Sequence, residues 1–200
     1  MRFKDPQKEH LIREKAIELF VQEGFDGFSM QKLGIEAGIS PSTIYLYFRN
    51  KEDLINNLYR YIERAINRSA RSHLDPDLMS LEQGLWSQWL CRYYYVEQHP
   101  LHFRFAEQFR NAVQFRWYPP DRSVTGGAFR RAMQIFIRQT TLRGELARLP
   151  TDTFWALAYG PLYILLKFHL DKSLNSREPF FIKHTHLREA FDRALRSLKP

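Results

Sequence analysis

The chain has a single cysteine among its 200 residues, Cys91, so it cannot form an intramolecular disulfide. The N-terminus has no apolar run and does not resemble a signal peptide. The longest apolar stretch, residues 154–166, is shorter than the roughly 20 residues that a membrane span needs, and Gly160-Pro161 interrupts it. These absences exclude a disulfide-stapled secreted domain and a membrane-spanning helix, and we expect a cytoplasmic protein.

Acidic residues are scarce relative to basic ones, but only in part of the chain. The formal net charge of +8 suggests a nucleic-acid partner. Residues 1–67, however, contain ten Lys/Arg and ten Asp/Glu, whereas residues 68–200 contain twenty and twelve. The N-terminal third is therefore neutral, and the net charge gives DNA binding only mild support.

The sequence also lacks the patterns that catalysis and metal binding require. It contains no nucleophile–base pair, paired carboxylates or phosphate-binding loop at recognisable spacing. His99 and His102 could share a helix face, but Pro100 lies between them and no carboxylate or cysteine completes a site. We therefore expect no enzyme activity, no metal site and no cofactor.

The hydrophobic pattern is helical almost throughout, with no sustained strand alternation, and predicts an all-α protein. Asp5, Ser29, Ser40 and Asn50 are each placed to cap a helix in the N-terminal part. A helix over residues 152–172 is apolar nearly all round, and a subunit interface is an economical way to cover it. The predicted helices cover residues 6–24 and 30–37, short segments capped by Ser40 and Asn50, and then residues 78–98, 101–109, 126–143, 152–172 and 184–198.

Residues 29–51 are the most informative segment, because they predict two short helices joined by a tight glycine turn. Such a helix-turn-helix can place its second helix in the major groove of DNA. Short side chains at the start of that helix would let its backbone approach the base edges, and a glutamine can make a bidentate contact to adenine. The candidates for base contacts are Gln31, Pro41, Ser42 and Thr43, and Ser29 is a further candidate for DNA contact at the start of the first of these two helices.

Three further residues of this segment suit the sugar–phosphate backbone. Tyr45 and Tyr47 are rigid and end in hydroxyl groups that can bond phosphate oxygens. Lys51 adds a positive charge at the N-terminus of the next helix, where the helix dipole already favours phosphate.

Residues 16–20, 23–25, 37–40, 43–48 and 50–54 together resemble the N-terminal domain of TetR-family transcriptional regulators. The resemblance covers about fifty contiguous residues, and its spacing is specific. Carried over by position, Gln31 and residues 41–43 match base-proximal positions, whereas Tyr45, Tyr47 and Lys51 match phosphate-contacting ones. Gly34 departs from the alanine usual in the family, and we expect it to allow a close approach of the two helices.

The resemblance implies an all-helical homodimer with an N-terminal three-helix helix-turn-helix domain and a larger helical domain for effector binding and dimerisation. The expected divisions are residues 1–50 for the DNA-binding domain, 51–75 for a connecting helix and linker, and 76–200 for the second domain. Dimerisation would involve the helices near 152–172 and 184–198. The expected function is sequence-specific repression at a palindromic double-stranded operator, relieved by a small, largely apolar or aromatic effector.

The effector site is harder to predict. Aromatic residues are dense between positions 86 and 118, which favours an aromatic-lined pocket, although a helical core built from large residues would look the same. Arg104 and Arg110 could meet an acidic group on the ligand or could face water or DNA. The residues predicted for the pocket are Trp89, Phe103, Phe109 and Tyr159.

Two other classes of protein stay open. One is a ligand-binding helical protein or enzyme with a purely structural hairpin, and the other is an architectural DNA-binding protein without an effector.

Overall fold

The computed structural model describes residues 5–111, 124–172 and 179–200. In this part of the chain the regular structure is entirely α-helical, which confirms the predicted all-α class. None of the described helices is both long enough and apolar enough to cross a membrane. The helices are α1 (Pro6–Gly27), α2 (Met30–Ala37), α3 (Pro41–Tyr47), α4 (Lys51–Ser72), α5 (Leu81–Gln98), α6 (Pro100–Asn111), α7 (Val124–Leu142), α8 (Thr151–Leu170) and α9 (His184–Leu198).

Local sequence signals fix the ends of the N-terminal helices. The side chains of Asp5, Ser29, Ser40 and Asn50 each accept a backbone N–H bond from two or three residues further on, at 2.8–3.3 Å. Each bond satisfies a donor that the first helical turn would otherwise leave without a partner. All four predicted caps are therefore confirmed.

Two glycines interrupt or end a helix in this part of the chain. Gly24 interrupts α1 with φ 69° and ψ −175°, a conformation that is essentially restricted to glycine. Gly38 ends α2 in the left-handed region at φ 63° and ψ 30°. A residue with a Cβ would be strained at either position. The predicted end of α2 at Ala37 is confirmed, whereas α1 continues past the predicted end at residue 24 to Gly27.

Other boundaries differ from the prediction. Helix α5 begins at Leu81 rather than near residue 78, because Ser80 and Gln83 form reciprocal side-chain-to-backbone bonds of 3.2 and 3.0 Å. At the start of α8, Pro150 occupies the cap position and makes no side-chain cap bond. Residues 112–123, between α6 and α7, lie outside the described residues.

The described helices divide into two compact units. The first contains α1, α2, α3, the part of α4 up to Ala65, and α6; the second contains α4 from Ile66 onward, α5, α7, α8 and α9. The domain boundaries expected near residues 50 and 75 stay a prediction.

Aromatic contacts between α1, α4 and α6 hold the first unit together. The rings of Phe20 and Phe105 lie 4.8 Å apart, and Tyr59 stacks on Phe109 at 4.2 Å. Burial of such rings supplies much of the free energy that favours folding of a small unit. The buried apolar side chains here include Ile12, Ala16, Ile17, Phe28, Leu33, Ile44, Phe48, Leu54, Ile55, Leu58 and Ile62.

The core of the second unit forms where α5 packs against α7 and α8, and where α8 packs against α9. Trp89 of α5 is fully buried, and its ring meets Phe191 of α9 edge-on at 5.3 Å. The Trp89 indole N–H donates to the Ala158 carbonyl of α8 at 2.8 Å, so the polar end of this ring is satisfied inside the core. The other large buried side chains include Phe136, Phe154, Leu162, Leu166, Leu187 and Leu198.

His102 is a buried imidazole in the first unit that should make stability depend on pH. Burial, followed by repulsion from His99, lowers the pKa of His102 from 6.5 to about 4. The folded protein keeps this ring neutral, whereas the unfolded chain takes up a proton below about pH 6.5. The contribution to the free energy of unfolding is therefore complete above pH 6.5 and is lost as the pH falls towards 4, by up to about 3 kcal/mol.

Urea unfolding followed by circular dichroism between about pH 4 and pH 7.5 would measure this loss. A His102→Gln variant should lose less stability over the same range, because it has no imidazole to protonate. The contributions of the carboxyl groups cancel in the difference between the two proteins. Parallel pH dependences for both proteins would contradict the assignment.

Candidate DNA-reading surface and effector region

The two helices of the hairpin meet at Gly34. A Cβ atom on Gly34 would lie 2.8 Å from the carbonyl oxygen of Ile39 and 3.1 Å from the ring of Pro41. The expected close approach of α2 and α3 is therefore confirmed, and it explains why this chain has glycine where the family usually has alanine. Leu33 and Ile44 are fully buried between the helices.

The candidates for base contacts lie at the N-terminal ends of α2 and α3. The Ser40 hydroxyl oxygen is 3.0 Å from that of Ser42 and 2.9 Å from that of Thr43, so the three hydroxyls form one hydrogen-bonded group. Ser42 and Gln31 are exposed, and Pro41 is the first residue of α3. Ser29 is half-buried because its hydroxyl caps α2. Both helices thus present short polar side chains at their N-termini.

The three candidates for phosphate contacts have different surroundings. Tyr45 is 48% exposed. The Tyr47 hydroxyl accepts from the Asp5 N–H at 3.0 Å and donates to the Asp5 carbonyl at 3.4 Å, which ties the end of α3 to the start of α1. The Lys51 ammonium donates to the Phe25 carbonyl and lies 4.0 Å from the centre of the Phe25 ring. Tyr47 and Lys51 therefore also hold the hairpin against α1, a role that sequence reasoning missed.

The four residues predicted for the effector pocket belong to different units. Trp89 and Tyr159 are buried on α5 and α8 of the second unit, whereas Phe103 and Phe109 are buried on α6 of the first. Of the other aromatics in the dense stretch, Phe115, Trp117 and Tyr118 lie outside the described residues. The pocket assignment of these four residues stays a prediction.

An open groove of about 550 Å³ lies in the second unit, along α5 and the end of α4. Its volume is within the range of small-molecule sites. Cys91 lies on its wall, and burial raises the pKa of this thiol, which disfavours the reactive thiolate. The residues that line the groove are Ser69, His73, Gln83, Trp86, Ser87, Leu90, Cys91, Tyr94, Tyr95 and Gln98.

The two arginines that the sequence offered for binding an acidic group of the ligand both lie in the first unit. Arg104 and Arg110 are both exposed on α6, and Arg110 pairs with Glu107 at 2.7 Å. In the described part of the chain, His, Cys, Asp and Glu side chains do not gather in groups of three or more that could hold a metal ion.

Comparison with known proteins agrees with this geometry. Residues 12–58 match the family model for bacterial regulatory proteins of the tetR family. An uncharacterised helix-turn-helix-type transcriptional regulator of Haemophilus influenzae is 24% identical over 140 residues, which cover 70% of this chain and 71% of that protein. Among solved structures, a TetR-family regulator from Shewanella sp. PV-4 aligns over 96% of this chain and 98% of its own, with a TM-score of 0.72 and 21% identity. The regulator FadR of Bacillus subtilis, solved in complex with stearoyl-CoA, aligns over 94% and 96%, with a TM-score of 0.67 and 15% identity.

The fold and the hairpin define a helix-turn-helix DNA-binding transcriptional regulator. The matches support a TetR-family transcriptional regulator, with the DNA-binding domain of that family at residues 12–58. Its relatives and its fold are those of transcription regulators, which are not enzymes, and this excludes the reading as an enzyme with a purely structural hairpin. Binding to operator DNA as a dimer is typical of the family.

Proposed function

We propose that this protein is a repressor that binds a palindromic operator as a homodimer and leaves it when a small, largely apolar effector binds in the second unit. The observation that carries the DNA-binding part is the hairpin of α2 and α3. Its buried face is packed around Gly34, and its exposed N-termini present Gln31 and Ser42. Because a regulator of DNA works where the chromosome is, the cytoplasmic location expected from the sequence belongs to this proposal.

Helix α8, together with α9, is proposed as the dimer interface. Residues spaced four apart on α8 form an apolar stripe that the described part of the chain does not fully cover, namely Ala156, Gly160, Ile164 and Phe168. Ile164 is 51% exposed, and a Cβ added to Gly160 would meet no atom within 4 Å. A stripe of small and apolar residues lets a second helix approach closely and bury it.

The second unit is proposed as the effector domain. Its groove presents Trp86, Leu90, Tyr94 and Tyr95, and its core contains the predicted pocket residues Trp89 and Tyr159. FadR of Bacillus subtilis, which shares the fold, was solved with stearoyl-CoA, a ligand with a long apolar chain. The ligand would act by favouring one of two conformations, only one of which matches successive major grooves of the operator. An architectural DNA-binding protein would instead keep its operator affinity whatever small molecule is added.

Substitutions in and beside the hairpin should distinguish residues that contact bases from residues that contact phosphates. Lys51→Gln and Tyr45→Phe should each weaken binding to operator and to random DNA by a similar factor, of about 3- to 10-fold, because phosphates carry no sequence information. The salt dependence of binding should also become less steep for Lys51→Gln. Gln31→Ala and Ser42→Ala should instead change which sequences are preferred, with a loss of about 1–3 kcal/mol of discrimination at the base concerned.

Selection of binding sites from random duplex DNA, followed by titration of the selected operator in varying salt, would measure both effects. Lys199→Gln is the matched control, because it removes an exposed lysine at the far end of the chain. If the Lys51 and Tyr45 variants bind operator and random DNA as tightly as the unmodified protein does, the proposed docking is wrong.

A further inference from the structure

Arg92 of α5 carries a positive charge inside the core of the second unit. The side chain is only 5% exposed. One terminal nitrogen donates to the backbone and side-chain oxygens of Gln88, both at 3.0 Å. The guanidinium carbon also lies 4.6 Å from the centre of the Tyr159 ring and 5.5 Å from that of Phe129. These contacts fix the position of the guanidinium, but every one of them is to a neutral group.

The charge of Arg92 lacks a counter-ion in the described part of the chain. No carboxylate there lies within ion-pair distance, and the groups that influence its charge are the tyrosines Tyr159 and Tyr163 and the thiol of Cys91. Burial lowers the pKa of Arg92, whereas electrostatic interactions with Tyr159, Tyr163 and Cys91 and a hydrogen bond to Tyr163 raise it, and the net direction is upward, so the guanidinium stays charged. Arginine is almost never buried in a folded protein without a partner of opposite charge, because removing the charge from water costs too much free energy.

One polar atom of Arg92 and one of the neighbouring Tyr159 are also unsatisfied. The Nε–H of Arg92 and the hydroxyl of Tyr159 are both buried and have no hydrogen-bond partner. Tyr159 is 2% exposed, and burial raises the pKa of its hydroxyl to about 12, so this group is a neutral donor at physiological pH. Buried polar atoms are nearly always paired in folded proteins, and an exception calls for an explanation such as a functional role or a bound ion. Here both atoms are hydrogen-bond donors beside a positive charge.

We propose that Arg92 and Tyr159 bind the carboxylate of the effector, which is therefore an amphipathic organic acid with an apolar body. This inference rests on the proposed effector domain and adds the chemical class of its ligand. A carboxylate supplies the missing counter-charge and accepts bonds from both unsatisfied donors, and a planar guanidinium is well suited to it. The aromatic rings around the site, Phe129 and that of Tyr159 itself, suit an apolar body.

Gln88 gives this site a direct link to α4. Its side-chain oxygen accepts from Arg92, while its amide nitrogen donates to the Ala70 carbonyl of α4 at 2.8 Å. When a carboxylate draws the guanidinium towards itself, the bond to Gln88 weakens or turns, and the bond to Ala70 changes with it. The occupancy of the site is thereby communicated to the C-terminal end of α4.

Pairs of ligands that share an apolar body but differ in charge test this proposal. We expect octanoate and naphthoate to bind about 10- to 100-fold more tightly than octanamide and naphthamide, because each charge-assisted bond is stronger than its neutral counterpart. Binding would be followed by calorimetry and by tryptophan fluorescence on the full-length dimer. In an Arg92→Gln variant the preference for the acid should fall to about 1-fold, and Tyr159→Phe should lower it by a smaller factor.

Arg138→Gln is the matched control, because Arg138 is exposed on α7 and its removal should leave the preference for the acid unchanged. If Arg92→Gln does not fold, Tyr159→Phe still tests the site, since it keeps the ring that faces the guanidinium. Equal affinities for acid and amide in the unmodified protein, or no binding of either acid at millimolar concentration, would overturn the proposal. Release of operator DNA by the neutral amide alone would also overturn it while leaving the proposed repressor function intact.

Discussion

Replacing Ile164 by glutamate is expected to give a monomeric protein that binds its operator at least about 100-fold more weakly. Ile164 lies in the middle of the proposed dimer stripe on α8 and is half-exposed in the single chain. In the dimer a glutamate there would be buried without a partner of opposite charge, which is strongly unfavourable. The loss of affinity follows because the two linked DNA-binding domains of a dimer bind a palindromic operator about 100-fold or more tightly than a single domain does.

Light scattering at micromolar concentration would give the mass, and titration of the selected operator would give the affinity. Leu142→Glu is the control, because Leu142 is 69% exposed at the end of α7 and lies outside the proposed interface. That variant should stay dimeric and bind normally. A dimeric mass for Ile164→Glu would show that α8 does not form the interface, and a monomeric mass for the unmodified protein would remove the basis of the dimer proposal.

Replacing Gly84 by alanine is expected to destabilise the second unit by about 2 kcal/mol. A Cβ atom on Gly84 would lie 2.4 Å from two carbon atoms of the Phe136 ring, which is far inside van der Waals contact. Phe136 is fully buried on α7, so its ring cannot move away without displacing the core. Overpacking of this kind costs about 1–3 kcal/mol, which exceeds the gain of under about 1 kcal/mol from a better helix former.

Thermal unfolding would detect a fall in Tm of about 4–8 °C for a chain of this length. A double-mutant cycle with Phe136→Leu isolates the clash, because the smaller side chain leaves room for the added methyl group. Gly84→Ala should then cost much less than it does beside the phenylalanine. An unchanged Tm for Gly84→Ala alone would mean that α5 and α7 are farther apart than in the structure.

The hairpin of α2 and α3 could be predicted from the sequence because the residues that determine it act locally. The caps Ser29 and Ser40 and the left-handed glycine Gly38 act on residues within three or four positions of themselves. The close approach at Gly34 could also be expected, since a small residue in a short helix indicates that something lies against it. Even so, the bonds from Tyr47 to Asp5 and from Lys51 to Phe25 join residues far apart in the sequence, and no local pattern indicates them.

The effector region could not be predicted in the same way. Phe103 and Phe109 follow the aromatic residues of α5 closely in the sequence, yet α6 packs with α1 in the first unit. Helix α5 is rich in aromatic residues on several faces, so its composition does not distinguish the residues of the groove from those of the core. Tyr94 is half-exposed, whereas Trp89 is fully buried on the same helix. Which face is covered depends on α7, α8 and α9, which follow much later in the chain.

The sequence by itself determined the all-helical class and the capped hairpin, because helix caps, glycine turns and hydrophobic period act over a few residues. Only the tertiary structure decided which side chains are enclosed together. Arg92 appears in the sequence as an ordinary polar residue between Cys91 and Tyr93. It becomes a candidate anion site only because α7 and α8 bring Phe129 and Tyr159 over it and remove it from water. The cost of burying a charge depends on its complete surroundings, and those are set by contacts between distant parts of the chain.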